Sequence, residues 1–350
     1  MSLLWLEYEK EFKDLVETSF QCEKEADPEY FSKLDGRVLD IIYRDTRYNI
    51  DFLYTAFVLN DEKVMGDYSR WLYRLMRPIL KDCTREQAGD YVAGHLESIK
   101  RAAHMVVSQE KQEKVLQLLD LAIEKVREEA AGPENAEKRP SRFETEIDQF
   151  MESLFAKNSR RTMYLIQEFK KKQIPLDDIY VDIIAESMRR VGDLWHVGKI
   201  SVDTEHYCTS VTQMAMAQLY GDLFDGERKN KTLLCACPGT ELHEMGARMV
   251  ADIFENNGWD SIYLGAAVPI QAMLKSIAEN HPDLVALSVT MPQHLMDCYE
   301  LVKQIRKQFP LLKIAVGGGA FKSTQEIWKK WPVDIYTEDA RELVLRANEG

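Results

Sequence analysis

The chain has 350 residues, with 45 Lys+Arg against 58 Asp+Glu, and a formal net charge of −13. That length implies two or three domains, and 45% hydrophobic with 29% charged residues is a globular composition, neither disordered nor fibrous. The acidic balance argues against broad phosphate-backbone binding, which needs clustered Lys and Arg. With no helix-turn-helix or zinc-finger pattern in the chain, no direct nucleic-acid partner is expected.

The first residues lack a basic start, and their apolar run, Leu3-Leu4-Trp5-Leu6, is too short for a secretory signal. No stretch approaches the ~18 apolar residues of a membrane span. The expectation is a cytoplasmic protein with no membrane partner. Cysteines 22, 83, 208, 235, 237 and 298 are scattered without a disulfide framework. Cys235 and Cys237 lie two apart in an apolar run, which places them on one face of a strand rather than in a metal or redox motif.

Before residue 128 almost everything reads as helix, with apolar residues at three- and four-residue spacing over Leu34–Val58, Val64–Leu80, Ala88–Val107 and Gln112–Val126. Pro78 terminates or kinks the second of these. The aromatic residues Tyr54, Phe57, Tyr68, Trp71 and Tyr73 read as core. His95 and His104 are nine apart, off the i, i+4 geometry of a helical metal pair, and read as structural or exposed. The expected domains are an all-helical one over 1–128, a linker over 129–142, a four-helix bundle over 143–227 and an α/β domain over 231–350.

In the bundle the predicted helices are Glu144–Lys157, Arg160–Lys172, Leu176–His196 and Asp203–Phe224, with Pro175 opening the third and Gly198 ending it. From residue 232 the pattern changes. Short Val-, Ile- and Leu-rich runs at Thr232–Cys237, Ser261–Leu264, Leu284–Val289, Lys313–Val316 and Val333–Tyr336 alternate with helical stretches at Glu244–Asn256, Ile270–Glu279, Leu295–Gln308 and Phe321–Lys330. Such alternation predicts a Rossmann-like, flavodoxin-like parallel sheet with helices on both faces. Ligands bind outside the carboxyl ends of such strands.

The first strand is followed by Gly239-Thr240-Glu241-Leu242-His243-Glu244-Met245-Gly246. A loop there projects an imidazole above the sheet edge. Glu241 can accept from one ring nitrogen of His243, fixing the tautomer and raising the basicity of the other. Gly246 leaves room for a bulky ligand. The third strand ends Ser288-Val289-Thr290, with two hydroxyls on one side of the chain. The fourth ends Gly317-Gly318-Gly319, which permits close backbone approach. His294 stands near enough to the third strand's end to approach a ligand, whereas His281, before Pro282, reads as a turn residue.

This combination resembles the cobalamin-binding domain of methionine synthase, methylmalonyl-type mutases and corrinoid proteins, with its acidic-x-His-x-x-Gly loop and its Ser and Gly-Gly strand ends. The resemblance covers residues 231–350. It implies that His243 is the lower cobalt ligand, in place of the cofactor's own dimethylbenzimidazole. It also implies that the nucleotide tail threads a cleft lined by Ser288, Thr290 and Gly317–Gly319. Glu241 departs from the Asp usual at its position.

In the bundle, Trp195 and His196 end one helix, and Glu205 and His206 sit in the first turn of the next, nine residues (196–204) separating Trp195 from Glu205. Two adjacent helix ends can converge on one space. Together with the downstream domain, the pattern resembles the light-sensing, cobalamin-dependent repressors of the CarH type over about 143–350, including Glu at the lower-ligand loop. The resemblance implies adenosylcobalamin as the cofactor, Trp195, Glu205 and His206 against its upper group, and His196 as the upper cobalt ligand after photolysis. Residues 1–128 do not look like the MerR-type DNA-binding domain of those repressors. The expected output is contact with an unknown protein partner or a second copy of the chain. The reading is a non-enzymatic sensor; the alternatives are a corrinoid methyl carrier and a cobalamin store or chaperone.

Overall fold

The computed structural model describes residues 10–133, 141–224 and 226–349. The N-terminal segment read against a secretory signal, residues 1–9, and the middle of the expected linker, 134–140, lie outside the described residues. The chain divides into two compact units, 1–135 with 322–327, and 136–321 with 328–350.

In the first unit, the long helices are α1 (Lys10–Ala26), α2 (Gly36–Leu59), α3 (Glu62–Met76), α4 (Arg85–Val106) and α5 (Gln109–Ala131), with a short helical turn Pro28–Ser32 between the first two. Their starts are written in the sequence. Asp35 accepts from the Val38 amide, and Thr84 and Gln87 form a reciprocal capping box. Helix α3 ends at Met76, just ahead of Pro78. Tyr54, Tyr68 and Tyr73 are buried, and the Phe52 and Tyr68 rings stack with centroids 3.7 Å apart. His95 is held between Asn49 and Glu23, both at 2.9 Å. His104 is exposed.

The second unit opens with α6 (Glu144–Phe155) and α7 (Ser159–Lys171). Next comes α8, which runs through Leu176–Asp178, a π-helical stretch Ile179–Ala185 and Glu186–His196. Pro175 precedes α8, and Gly198 follows it at φ +68°, a conformation that favours glycine. Helix α9 (Val202–Ala217) stops short of the predicted Phe224 and gives way to a single tighter turn, Tyr220–Asp222.

The α/β layer follows as β1 (Thr232–Pro238), α10 (Met245–Asn256), β2 (Asp260–Val268), α11 (Ile270–Asn280), β3 (Leu284–Ser288), α12 (Leu295–Gln308), β4 (Lys313–Gly317), β5 (Ile335–Tyr336) and α13 (Ala340–Asn348). The sheet is parallel throughout, in the order β2-β1-β3-β4-β5. Because β2 and β3 flank β1 on opposite sides, the crossover helices α10 and α11 cover opposite faces. The central strands are buried on both faces and therefore read as unbroken apolar runs. Cys235 and Cys237 are buried free thiols within β1. One hydrophobic core joins bundle and sheet, from Phe150, Phe169 and Tyr180 to Phe254, Trp259 and Val344.

Two expectations need correction. The helix predicted over Phe321–Lys330 is two short pieces, Gly319–Lys322 and Ile327–Lys330, separated where Glu326 takes a left-handed φ of +53°. Helix α13, which the sequence reading omitted, packs against α10 and is capped by Asp339, whose side chain accepts from the Arg341 amide.

Candidate functional site

The loop from β1 to α10 leaves the carboxyl edge of the sheet at Gly239, whose φ of +65° suits a residue without Cβ. Glu241 is completely buried in this loop. Its Oε1 accepts from the His243 backbone N–H at 3.0 Å and from His243 Nδ1 at 2.6 Å. Its Oε2 accepts from the Thr290 and Met291 backbone N–H groups, both at 2.8 Å. Burial alone would raise its pKa, but the His243 side chain and the Met291 and His243 backbone donors hold it at about 2. Glu241 is therefore an anion bonded to the ends of both loops.

The hydrogen bond to Glu241 raises the pKa of His243, against the opposing effect of burial. With Nδ1 committed, Nε2 is the nitrogen left to coordinate, on a side chain that is 57% exposed. Among the described residues no three His, Cys, Asp or Glu side chains converge into a metal cage. His243 thus offers a single imidazole nitrogen at this edge of the sheet.

Beside this loop a cavity of about 190 Å³ opens between the sheet, α8, α10 and α13. Gly246, Ser288, Gly317 and Gly318 line it. Gly318 has φ +101°, and a Cβ there would sit 2.3 Å from the Val289 carbonyl oxygen. A Cβ at Gly317 would sit 3.0 Å from the Thr337 oxygen, whereas one at Gly246 would meet only Ser288 Oγ, at 3.9 Å. The first two glycines permit close backbone packing; Gly246 keeps space open. Thr290 and Gly319, expected on this wall, are not part of it: Thr290 acts through its backbone N–H on Glu241, and Gly319 faces the Thr290 carbonyl.

Trp195 and His196 lie half-buried in the last turn of α8, and Glu205 and His206 in the first turn of α9. Glu205 accepts from Thr209 Oγ1 at 2.8 Å and pairs with His206 Nδ1 at 2.6 Å, leaving the His206 side chain 75% exposed. The charge of Glu205 also reaches His243, where it adds to the rise in basicity. The start of α9 is therefore near enough to the β1–α10 loop for its charge to act there.

Several residues of the site escaped the sequence reading. Val181 and Ala185, from the π-helical stretch, form one wall of the cavity, and Thr337, Glu338 and Asp339 form another. The latter follow β5, where the rule of strand carboxyl ends could have found them. Glu244 fixes the loop to β2, accepting from Tyr263 Oη and the Ala266 amide, both at 3.1 Å. His294 lies 3.3 Å from Thr240 Oγ1, and burial pushes its pKa down.

A doubly wound sheet with a helical cap, a cavity at its carboxyl edge and an imidazole backed by a buried carboxylate define a cap-and-sheet cofactor-binding protein. Comparison with known proteins specifies the cofactor. Residues 231–345 match the B12 binding domain, and residues 146–220 match a second B12 binding domain family. The chain carries both domains and is a cobalamin-binding protein, homologous to corrinoid proteins and to CarH; neither matched domain is a DNA-binding one.

Dimethylamine corrinoid protein 3 of Methanosarcina acetivorans is 22% identical over 183 residues, covering 52% of this chain and 86% of that protein. The HTH-type transcriptional repressor CarH of Myxococcus xanthus is 24% identical over 220 residues, covering 63% and 73% respectively. The monomethylamine corrinoid protein of Methanosarcina barkeri shares the fold, with a TM-score of 0.53 and 19% identity over 59% of this chain and 98% of that one. No helix among the described residues is long and apolar enough to cross a membrane.

Proposed function

We propose that this protein is a cobalamin-dependent sensor, an adenosylcobalamin photoreceptor that signals through protein contacts rather than DNA. The observation carrying this reading is the placement of Trp195, His196, Glu205 and His206 on consecutive helix ends, with the Glu205 charge acting on His243. In this proposal residues 143–350 hold the cofactor. His243 Nε2 is the lower cobalt donor, and Glu241 fixes its ring through Nδ1. Gly246, Ser288, Gly317 and Gly318 shape the tail cleft, and Thr290 braces Glu241.

When bound, adenosylcobalamin supplies a cobalt–carbon bond that visible light breaks. Trp195 gives the upper group an aromatic wall, and Glu205 and His206 give it polar partners, the mixture a nucleoside pocket needs. His196, on the adjoining helix end, carries an imidazole, a ligand type suited to cobalt, and is the proposed upper donor in the light state. The packing change there alters the cap's surface, which a partner can read.

The test is spectroscopic. Adenosylcobalamin-loaded wild type and His196→Ala are kept dark, then illuminated with green light. Both should change, and only wild type should give the light-state spectrum of two imidazole ligands. Identical light-state spectra would remove His196 from the switch. A second reading, a corrinoid methyl carrier in a methyltransferase system, draws support from the dimethylamine corrinoid relatives. Absence of a light response, together with preferential loading by methylcobalamin, would favour that carrier.

A further inference from the structure

The two ends of α8 are attached to the α/β layer very differently. At its start, Asp177 accepts from Asn256 Nδ2 at 2.9 Å and Asn257 Nδ2 at 3.1 Å, both at the end of α10. One turn on, Tyr180 donates a buried 2.8 Å hydrogen bond to Asp252 of α10. On the other side, Arg341 of α13 reaches Asp178 at 2.9 Å and Asp182 at 3.0 and 3.1 Å while holding Asp339 at 2.7 Å. A planar guanidinium bridging three carboxylates has little freedom to slide. Packing follows the same pattern, because the closest contacts of α8 with α10 come from Leu176–Ala185.

The far end of α8 is held differently. There Leu194, Ile200 and Tyr207 join the common core by apolar packing, and the polar contact is Gln213 Nε2 of α9 donating to Glu244 at 3.3 Å in an exposed position. The bundle itself is braced as a body, with Arg190 of α8 making two 2.7 Å bonds to Glu144 of α6.

We infer that Arg341, with Tyr180, is the positioning pair that makes the start of α8 a fixed pivot, so that the cap swings open only at its Trp195–His206 end. This inference rests on the cofactor reading above and says how the cap moves without releasing what the cleft holds. Val181 and Ala185 line the cavity within the pinned stretch, and Asp339, which Arg341 holds, lines it from the other side. The tail-cleft wall therefore stays closed during a swing that uncovers the upper face. Tyr180 and Asp182 lie in the π-helical stretch and Asp178 directly before it, a local widening of the helix of the kind often found at functional sites.

Hydrogen–deuterium exchange on the full-length protein, apo and cobalamin-loaded, tests this. In the apo protein, peptides covering 176–185 should exchange slowly and those covering 193–206 at least tenfold faster; loading should slow the second set and leave the first unchanged. Arg341→Met should abolish the apo difference and speed cobalamin dissociation about tenfold, and Tyr180→Phe should do so more weakly. Arg341→Lys should not restore it, because an ammonium cannot bridge the three carboxylates as a planar fork does.

Equal apo exchange at the two ends, or equal slowing on loading, would overturn the pivot. So would unchanged dissociation in a folded Arg341→Met protein. If Arg341→Met fails to fold, the wild-type comparison still decides. Failure to bind any corrinoid would sink the cofactor reading and leave the apo exchange asymmetry to decide the pivot.

Discussion

Glu241 is fully buried, yet its carboxyl is held at about 2 because two loops aim donors at it. Removing the carboxylate leaves the Thr290 and Met291 amides without their acceptor, at about 1–3 kcal/mol for each buried donor left unpaired. His243→Ala should therefore lose cobalamin, or bind it with a spectrum lacking a lower imidazole, while remaining folded. Glu241→Gln should keep the imidazole ligand but weaken binding about 10–100-fold. An unchanged affinity and spectrum in His243→Ala, measured by titration of the apoprotein, would remove the lower-ligand assignment. At this scale the sequence was informative where a motif puts two side chains in one loop, as with Glu241 and His243. It was misleading at Thr290, where a hydroxyl drew attention from the backbone N–H that makes the contact. No side-chain pattern marks an amide donor, and that is why Met291 was invisible too.

Among the elements, periodicity marked the strands and most helices to within a few residues, because buried parallel strands and amphipathic helices leave opposite signatures. It failed where tertiary contacts decide. Helix α13 is short and depends on Asp339 and on packing against α10, and the predicted helix over Phe321–Lys330 is interrupted at Glu326. The π-helical stretch of α8 has the same sequence periodicity as an ordinary helix over seven residues. The strand-end glycines separate two roles that sequence alone merges. At the end of β4, Gly318→Ala would drive a Cβ to 2.3 Å from the Val289 oxygen, so it should destabilise the fold by roughly 1–3 kcal/mol, through strain and a forced backbone shift. At the start of α10, Gly246→Val has room beyond Ser288 Oγ at 3.9 Å. It should leave the melting temperature nearly unchanged, fill the cavity and abolish cobalamin binding. A Gly246→Val protein that binds with wild-type affinity would show that the cavity of about 190 Å³ is not the cofactor's.

At the scale of the whole molecule the two units should answer pH differently. In the first, Asp51 of α2 is 2% exposed, its Oδ1 has no hydrogen-bond partner among the described residues, and burial lifts its pKa from 3.8 to about 7. Burial raises Asp45, on the same helix, in the same direction. A carboxyl whose folded pKa lies above its unfolded one is best tolerated as the neutral acid. Its stability contribution is full below about pH 4 and is lost as pH rises through about 7. For Asp51 the loss across that window is on the order of 4 kcal/mol. In the second unit Glu241 works in the opposite sense, its contribution disappearing only as pH falls from 4.5 towards 2. Between pH 5 and pH 8, then, the first unit should lose stability while the lower-ligand loop keeps its anion. The self-repulsion of a chain with net charge −13 acts in the same direction as the ionisation of Asp51. Thermal unfolding from pH 5 to pH 8 should show a transition that moves down in temperature, and Asp51→Asn, which keeps the shape but cannot ionise, should flatten that slope. A slope as steep in Asp51→Asn as in wild type would assign the pH response to other groups and leave the buried carboxyl of α2 without influence on it.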